Sequence, residues 1–176
     1  MIRSAAARPG RRLIIRADGA ARGNPGPASA GAVLIDADGP DAYDPDAAPL
    51  VVVARALGFR TNNVAEYAAI VLALREAEVL GATEVELVLD SKLVVEQLNG
   101  RWKVRDAKLK GLHAEASTRL ARMARWSARH EPRARNRAAD ALANLALDDP
   151  AAAAALERSM REAVGSPPAH SSDLGL

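Results

Sequence analysis

Four carboxylates stand at the boundaries of four separate segments of this chain. Asp18 follows the short apolar run Leu13-Ile14-Ile15 and opens DGAARGNPGPASAG, Glu66 lies in TNNVAEYAAIVLAL, Asp90 ends VELVLD, and Asp140 lies in NRAADALANLA. Each has an ordinary structural use. Asp18-Gly19 is a common turn pair, and Glu66 three residues after Asn63 fits a capping box. Asp90 before Ser91, and Asp140 after Asn136, suit helix starts. Together they suggest more. If the strands ending at Asp18 and Asp90 lie parallel and adjacent, their carboxylates emerge side by side at the carboxyl edge of a sheet, where functional groups of such sheets gather. Glu66 and Asp140, near helix N-termini, can lean over the same edge. Four clustered acids repel and raise one another's pKa values. Hard divalent cations resolve this, and oxygen donors without cysteine favour Mg²⁺ or Mn²⁺ over zinc. Two such ions roughly 4 Å apart can activate a water and stabilise the leaving oxygen of a phosphodiester. The residues by themselves point to a metal-dependent nuclease.

The elements that must position these acids follow from pattern. Leu13–Ile15 reads as a buried strand, Ala30–Ile35 as a second and Leu50–Phe59 as a third, with an exposed acidic loop from Asp36 to Pro49. Val64, Ala68, Val71, Leu72, Leu74 and Val79 recur at helical spacing over residues 63–80, and Gly81 supplies the stop. Val85–Leu89 is a fourth strand and Ser91–Leu98 a short helix. Leu109, Leu112, Ala116 and Leu120 mark another helix, Arg125–His130 a fifth strand, and Arg137–Leu147 a last helix opened by Asn136. The order implies a mixed sheet: an antiparallel start, then two strands reached by helical crossovers and therefore parallel. Three regions are expected: a flexible basic N-terminus (1–11), one domain (12–149), and an Ala-rich, partly disordered tail (150–176) with an extra helix through Val164.

The 176 residues contain no cysteine, which rules out disulfides and thiolate-bound zinc and fits a reducing, cytoplasmic home. No apolar run reaches the roughly 20 residues of a membrane helix. A formal net charge of +2 hides segregation: residues 101–140 carry twelve Lys/Arg against four Asp/Glu, whereas residues 36–46 carry five acids and no base. A basic segment of that density suggests a polyanionic partner, with a solvated helix face as the plain alternative.

The motifs DGAARGNPGPASAG, TNNVAEYAAI, VELVLDSKLVVEQLNG and HEPRARNRAADALANLA resemble, in order, those of ribonuclease H type 1, over about Leu13 to Leu147. The resemblance implies an α/β, ribonuclease H-like five-stranded mixed sheet flanked by helices. It further implies endonucleolytic hydrolysis of the RNA strand of RNA–DNA hybrids, leaving 3′-hydroxyl and 5′-phosphate ends. On matching positions, Asp18, Glu66, Asp90 and Asp140 would hold two Mg²⁺ (or Mn²⁺) ions, and Glu66 would lie close to the ribose 2′-OH at the cut. Telling RNA from DNA has to use that hydroxyl. Asn24, Asn62 and Asn63, with the loop from Gly23 to Gly26, are the candidates to contact it, although turn and cap chemistry would also explain the asparagines. His130, ten residues before Asp140, matches the family's catalytic histidine, able to move a proton or help release product; a histidine that merely ends a strand is the alternative. HEPRARN also fits an H-x-P-R-x-x-N form of the motif, which brings in Arg133 as a catalytic candidate and Asn136 as a substrate contact.

One departure bears on substrate handling. Some members insert a basic helical protrusion between the third and fourth acids, and LNGRWKVRDAKLKGLHAEA is too short to contain it. Binding of the hybrid would then rest on Trp102, Lys103, Arg105, Lys108, Lys110 and the loop from Arg133 to Arg137. Trp102 could stack on a sugar or base or pack in the core. No second protein is implied, and no phosphatase-like domain of the kind fused to some relatives is expected. The rival readings are a nuclease of the same fold acting on double-stranded RNA or DNA, and a catalytically silent hybrid-binding module. An unpaired carboxylate cluster serves a silent module nothing.

Overall fold

The computed structural model of the protein describes residues 10–165 and 173–176; the expectations for the extreme N-terminus and for residues 166–172 lie outside them. Five strands form one sheet: β1 (Arg11–Ala21), β2 (Gly26–Asp36), β3 (Val51–Arg60), β4 (Ala82–Leu89) and β5 (Arg125–His130), in the order β3-β2-β1-β4-β5. β1 pairs antiparallel with β2 and β2 with β3, while β4 runs parallel to both β1 and β5. The helices are α1 (Asn62–Val79), α2 (Lys92–Leu98), α3 (Ala107–Ala121), α4 (Arg137–Asp148) and α5 (Pro150–Ala163), with a single 3₁₀ turn at Arg133–Arg135.

Alternation along the strands sends side chains to two cores. Leu13, Ile15, Leu34, Val53, Leu87 and Leu89 pack against α1 and α3, and Ile14, Val33, Val52 and Val88 meet Leu142 and Ala146 of α4 on the other face. α1 lies between the sheet and α3, so residues 64–74 are buried around the whole circumference. α4 can sit close because β2 carries Gly31, where a Cβ would fall 2.1 Å from the Ala139 carbonyl oxygen. Ser29 donates to the Ala143 carbonyl at 2.5 Å beside that contact.

The sheet is as the patterns imply, with local differences. Asp18-Gly19 is not a turn: β1 runs on to Ala21 and the chain reverses over residues 22–25. The reason is tertiary, because Gly19 lies against α1. Asn63 and Glu66 do not form a capping box. Thr61 caps α1, its hydroxyl accepting from the Val64 amide at 3.3 Å, which leaves Glu66 free for the sheet edge. Ser91, not Asp90, caps α2 in the same way.

The Ala-rich stretch after residue 149 supplies α5, which covers the free edge of β3. Asp149 caps it, and the buried Glu157 accepts from the Ala54 amide at 2.7 Å, satisfying a backbone donor that an edge strand would otherwise leave bare. Arg55 and Arg161 compensate Glu157 and the equally buried Glu76 of α1.

Candidate active site

Register places the first two acids. Ala17 of β1 is level with Leu89 of β4 in the parallel pair, so the next residues, Asp18 and Asp90, emerge together at the carboxyl edge. Glu66 arrives from α1 because Gly19 permits contact between strand and helix: a Cβ there would lie 2.2 Å from the Glu66 nitrogen and 2.3 Å from the Ala65 carbonyl carbon. Asp18, Glu66 and Asp90 each offer a carboxylate oxygen within 4.8 Å of the others. Asp140, in the first turn of α4, stands outside that group but close enough to Asp18 to help raise its pKa. One Asp140 oxygen also accepts from Arg133 at 3.1 Å.

The electrostatics follow from this crowding. Burial, then the charges of Asp90 and Asp140, push Asp18 up to about 7. Burial, followed by Asp18 and Asp90, raises Glu66 well above the usual carboxylate range, against a small opposing hydrogen bond from the Gly19 amide. Burial raises Asp90 as well, with the Arg133 charge pulling the other way. Like-charged acids held this close without a counter-ion are unfavourable. An oxygen-rich divalent cation site removes the conflict, so the donor set fits Mg²⁺ or Mn²⁺.

The other candidates occupy two flanks. On one, Asn24 in the β1–β2 loop accepts from the Asn62 amide at 3.1 Å, tying Gly23 and its neighbours to the start of α1; Asn63 is exposed there. On the other, His130 is exposed at the end of β5, with Nε2 3.2 Å from the Asp90 carbonyl oxygen, and Arg133 reaches in from the 3₁₀ turn. Asn136 lies beneath rather than on the surface: it is 2 % exposed and its amide donates to the Ala17 carbonyl at 2.9 Å, bracing β1 beside Asp18. Trp102 is 46 % exposed, which removes the core-packing alternative, and Lys103 beside it is exposed in the connection between α2 and α3. That connection is tied to the core through Gln97, which donates to the Lys103 carbonyl at 3.3 Å and accepts from Tyr67 at 2.7 Å.

Three contributors escaped the sequence reading: Gly19, Thr61 and the pair Arg16–Glu131. For Arg16 a signal existed, since it is a charge inside an otherwise apolar strand and is completely buried.

A mixed sheet in this order, with Asp18, Glu66 and Asp90 converging on one edge and Asp140 nearby, defines an α/β domain with a carboxylate cluster at a sheet end. A family model described as reverse transcriptase-like matches residues 16–146. The bifunctional protein Rv2228c of Mycobacterium tuberculosis is 44% identical over 146 residues, 83% of this chain and 38% of that protein. The solved structure of the N-terminal RNase H domain of the same protein, as a fusion with maltose-binding protein, superposes with a TM-score of 0.71 at 45% identity, covering 78% of this chain and 99% of that one. Ribonuclease HI of Halobacterium salinarum is 44% identical over 135 residues, 75% of this chain and 62% of its own length. LC11-RNase H1, in complex with RNA/DNA hybrid, gives a TM-score of 0.70 at 36% identity, over 79% of this chain and 99% of that one. The chain thus spans well under two thirds of the mycobacterial relative. It belongs to the ribonuclease H type 1 family.

Among the described residues no helix is long and apolar enough to cross a membrane.

Proposed function

We propose that the chain hydrolyses the RNA strand of RNA–DNA hybrids by a two-metal-ion mechanism, leaving 3′-hydroxyl and 5′-phosphate ends. The observation that carries this reading is the buried Asp18–Glu66–Asp90 group, with its oxygens within 4.8 Å of one another and Asp140 alongside. The relative crystallised with RNA/DNA hybrid supports the substrate class. Asp18, Glu66, Asp90 and Asp140 would hold the ions, which supply charge stabilisation for the attacking and leaving oxygens of the phosphodiester. Glu66, at the helix-side corner, would meet the ribose 2′-OH, and Asn24, Asn62 and Asn63 would line the approach to it. His130 and Arg133 stand on the opposite flank, where an imidazole can move a proton and a guanidinium can hold a phosphate oxygen.

The test is an end-labelled hybrid incubated with Mg²⁺ or Mn²⁺, beside a double-stranded RNA control. Wild type is expected to cut the RNA of the hybrid, and Asp90→Asn to cut it at least about a thousandfold more slowly. Intact RNA after incubation with either metal would end the ribonuclease H reading. Equal cutting by the variant would remove Asp90 from the metal site.

Substrate capture rests on Lys103, Arg105, Lys108 and Lys110, all exposed and with no carboxylate partner among the described residues. Each phosphate contact releases counter-ions, so log K for the hybrid should fall with log salt at a slope of about −3 to −4, and Lys103→Ala/Lys108→Ala should shallow it by about 2. Fluorescence anisotropy in the presence of Ca²⁺ measures this. A slope that the double variant leaves unchanged would place the hybrid elsewhere.

A further inference from the structure

α4 packs mainly over β1, β2 and β3 and, beyond Val88 in its apolar cluster, leaves the β4–β5 half of that face largely uncovered among the described residues. On that uncovered half of the sheet face lies a network of charges with Arg16 at its centre. Arg16 is fully buried, two residues before Asp18 on the same face of β1. Its guanidinium donates to the Glu131 carboxylate at 2.7 Å, and to the carbonyls of Arg135 and Tyr43 at 3.3 Å each. Glu131 also accepts from Arg129, which in turn holds Glu86 of β4 at 2.6 Å, and from Arg135 at 3.3 Å. Burial pushes the Glu131 carboxyl up, but the hydrogen bonds from Arg16 and Arg129 outweigh it and hold the group at about 2, so it is ionised at every working pH.

The position of Glu131 in the chain gives this network a consequence. It directly follows His130, stands two residues before Arg133, and its own amide donates to the Leu89 carbonyl at 2.8 Å, one residue before Asp90. A buried cation such as Arg16 needs a compensating partner, so the segment that supplies Glu131 is fixed to β1. We propose that Glu131 is a positioning residue, which through Arg16 holds the turn bearing His130 and Arg133 against the strand that carries Asp18. The role of that turn in cleavage rests on the function proposed above; the anchoring itself does not.

Glu131→Gln alone leaves Arg16 buried without its partner and can fail to fold, so the decisive variant is Arg16→Met/Glu131→Leu, which replaces the pair by apolar side chains of similar size. In the folded double variant the amides of residues 131 and 133–136 are expected to exchange about tenfold faster than in wild type, with α1 unchanged. On a hybrid substrate, kcat is expected to fall about tenfold at unchanged KM, as for an interaction that matters only in the transition state. Exchange at wild-type rates overturns the proposal. Faster exchange with unchanged kcat supports the anchoring and removes His130 and Arg133 from the reaction. A wild type that cuts no hybrid sinks the proposed function, while the exchange rates still decide the anchor.

Discussion

Asp18→Asn is expected to melt higher than wild type in metal-free buffer at pH 8 while cutting hybrid at least about a thousandfold more slowly. Asp18 is 4 % exposed, and burial with the charges of Asp90 and Asp140 raises it from 3.8 to about 7. A carboxyl whose folded pKa is raised binds more protons in the folded than in the unfolded chain between those two values. Stability therefore falls as pH rises from about 4 to about 7, and the full penalty is present above that window. An amide carries no such penalty. Its removal is worth on the order of 4 kcal/mol at pH 8, a rise of about 10 °C in Tm for a domain of this size. At pH 4 the two proteins should melt close together, since Asp18 is protonated in the folded chain and the penalty, which grows only above the unfolded value of 3.8, is still small.

Under the proposed function, excess Mg²⁺ is expected to reverse the order, because ligation would favour the chain that keeps the carboxylate. Melting curves at pH 4 and 8, with chelator and with Mg²⁺, separate the effects. A variant no more stable than wild type at pH 8 without metal would mean that the acids are not forced together at a cost in stability. Glu131 has the opposite sign: held at about 2, it contributes stability above its unfolded value of 4.5 that is lost as pH falls toward 2. Wild type without metal is thus squeezed from both sides, by Glu131 in acid and by Asp18 at neutral pH.

Asp18 and Asp90 were legible because each ends a pattern. The apolar runs stop at Asp18 and Asp90, and parallel pairing of the strands puts those stops at one level. What the patterns could not reveal depends on which faces other elements cover. Asp18-Gly19 has the composition of a turn, yet the helix pressing on Gly19 keeps it in the strand. Asn63 and Glu66 have capping-box spacing, yet Thr61, two residues earlier, takes the cap. Arg16 reads as an interruption in an apolar strand until the reach of α4 is known; only then is its side of the sheet a place for charge. α5 is similar: its alanines announce a helix, but its attachment is made by Glu157 to Ala54 of β3 and by Arg161 to Glu76 of α1, residues 103 and 85 positions earlier in the chain, pairings that no local pattern carries.

Gly19→Ala tests whether the approach of α1 to β1 sets the metal site. The added methyl would meet the Glu66 nitrogen at 2.2 Å, the Ala65 carbonyl carbon at 2.3 Å and the Ala65 Cβ at 2.8 Å. Two of these atoms are backbone of a helix buried on all sides, so no side chain can rotate away, and α1 has to retreat from the strand. The overpacking should cost about 3 kcal/mol. Glu66 retreats with its helix, and a displacement of about 1 Å at a site that needs three carboxylate oxygens together should weaken Mn²⁺ binding and cleavage by about a hundredfold. Gly111→Ala in α3 is the control, since a Cβ there meets nothing within 4 Å and the substitution should stabilise the helix by up to about 1 kcal/mol. Calorimetric titration with Mn²⁺ below the melting temperature of each variant distinguishes lost geometry from lost fold. A folded Gly19→Ala protein that binds Mn²⁺ like wild type would show that Glu66 reaches Asp18 without the close contact of helix and strand, and the spacing of the acids would have to come from α4 and β4 instead.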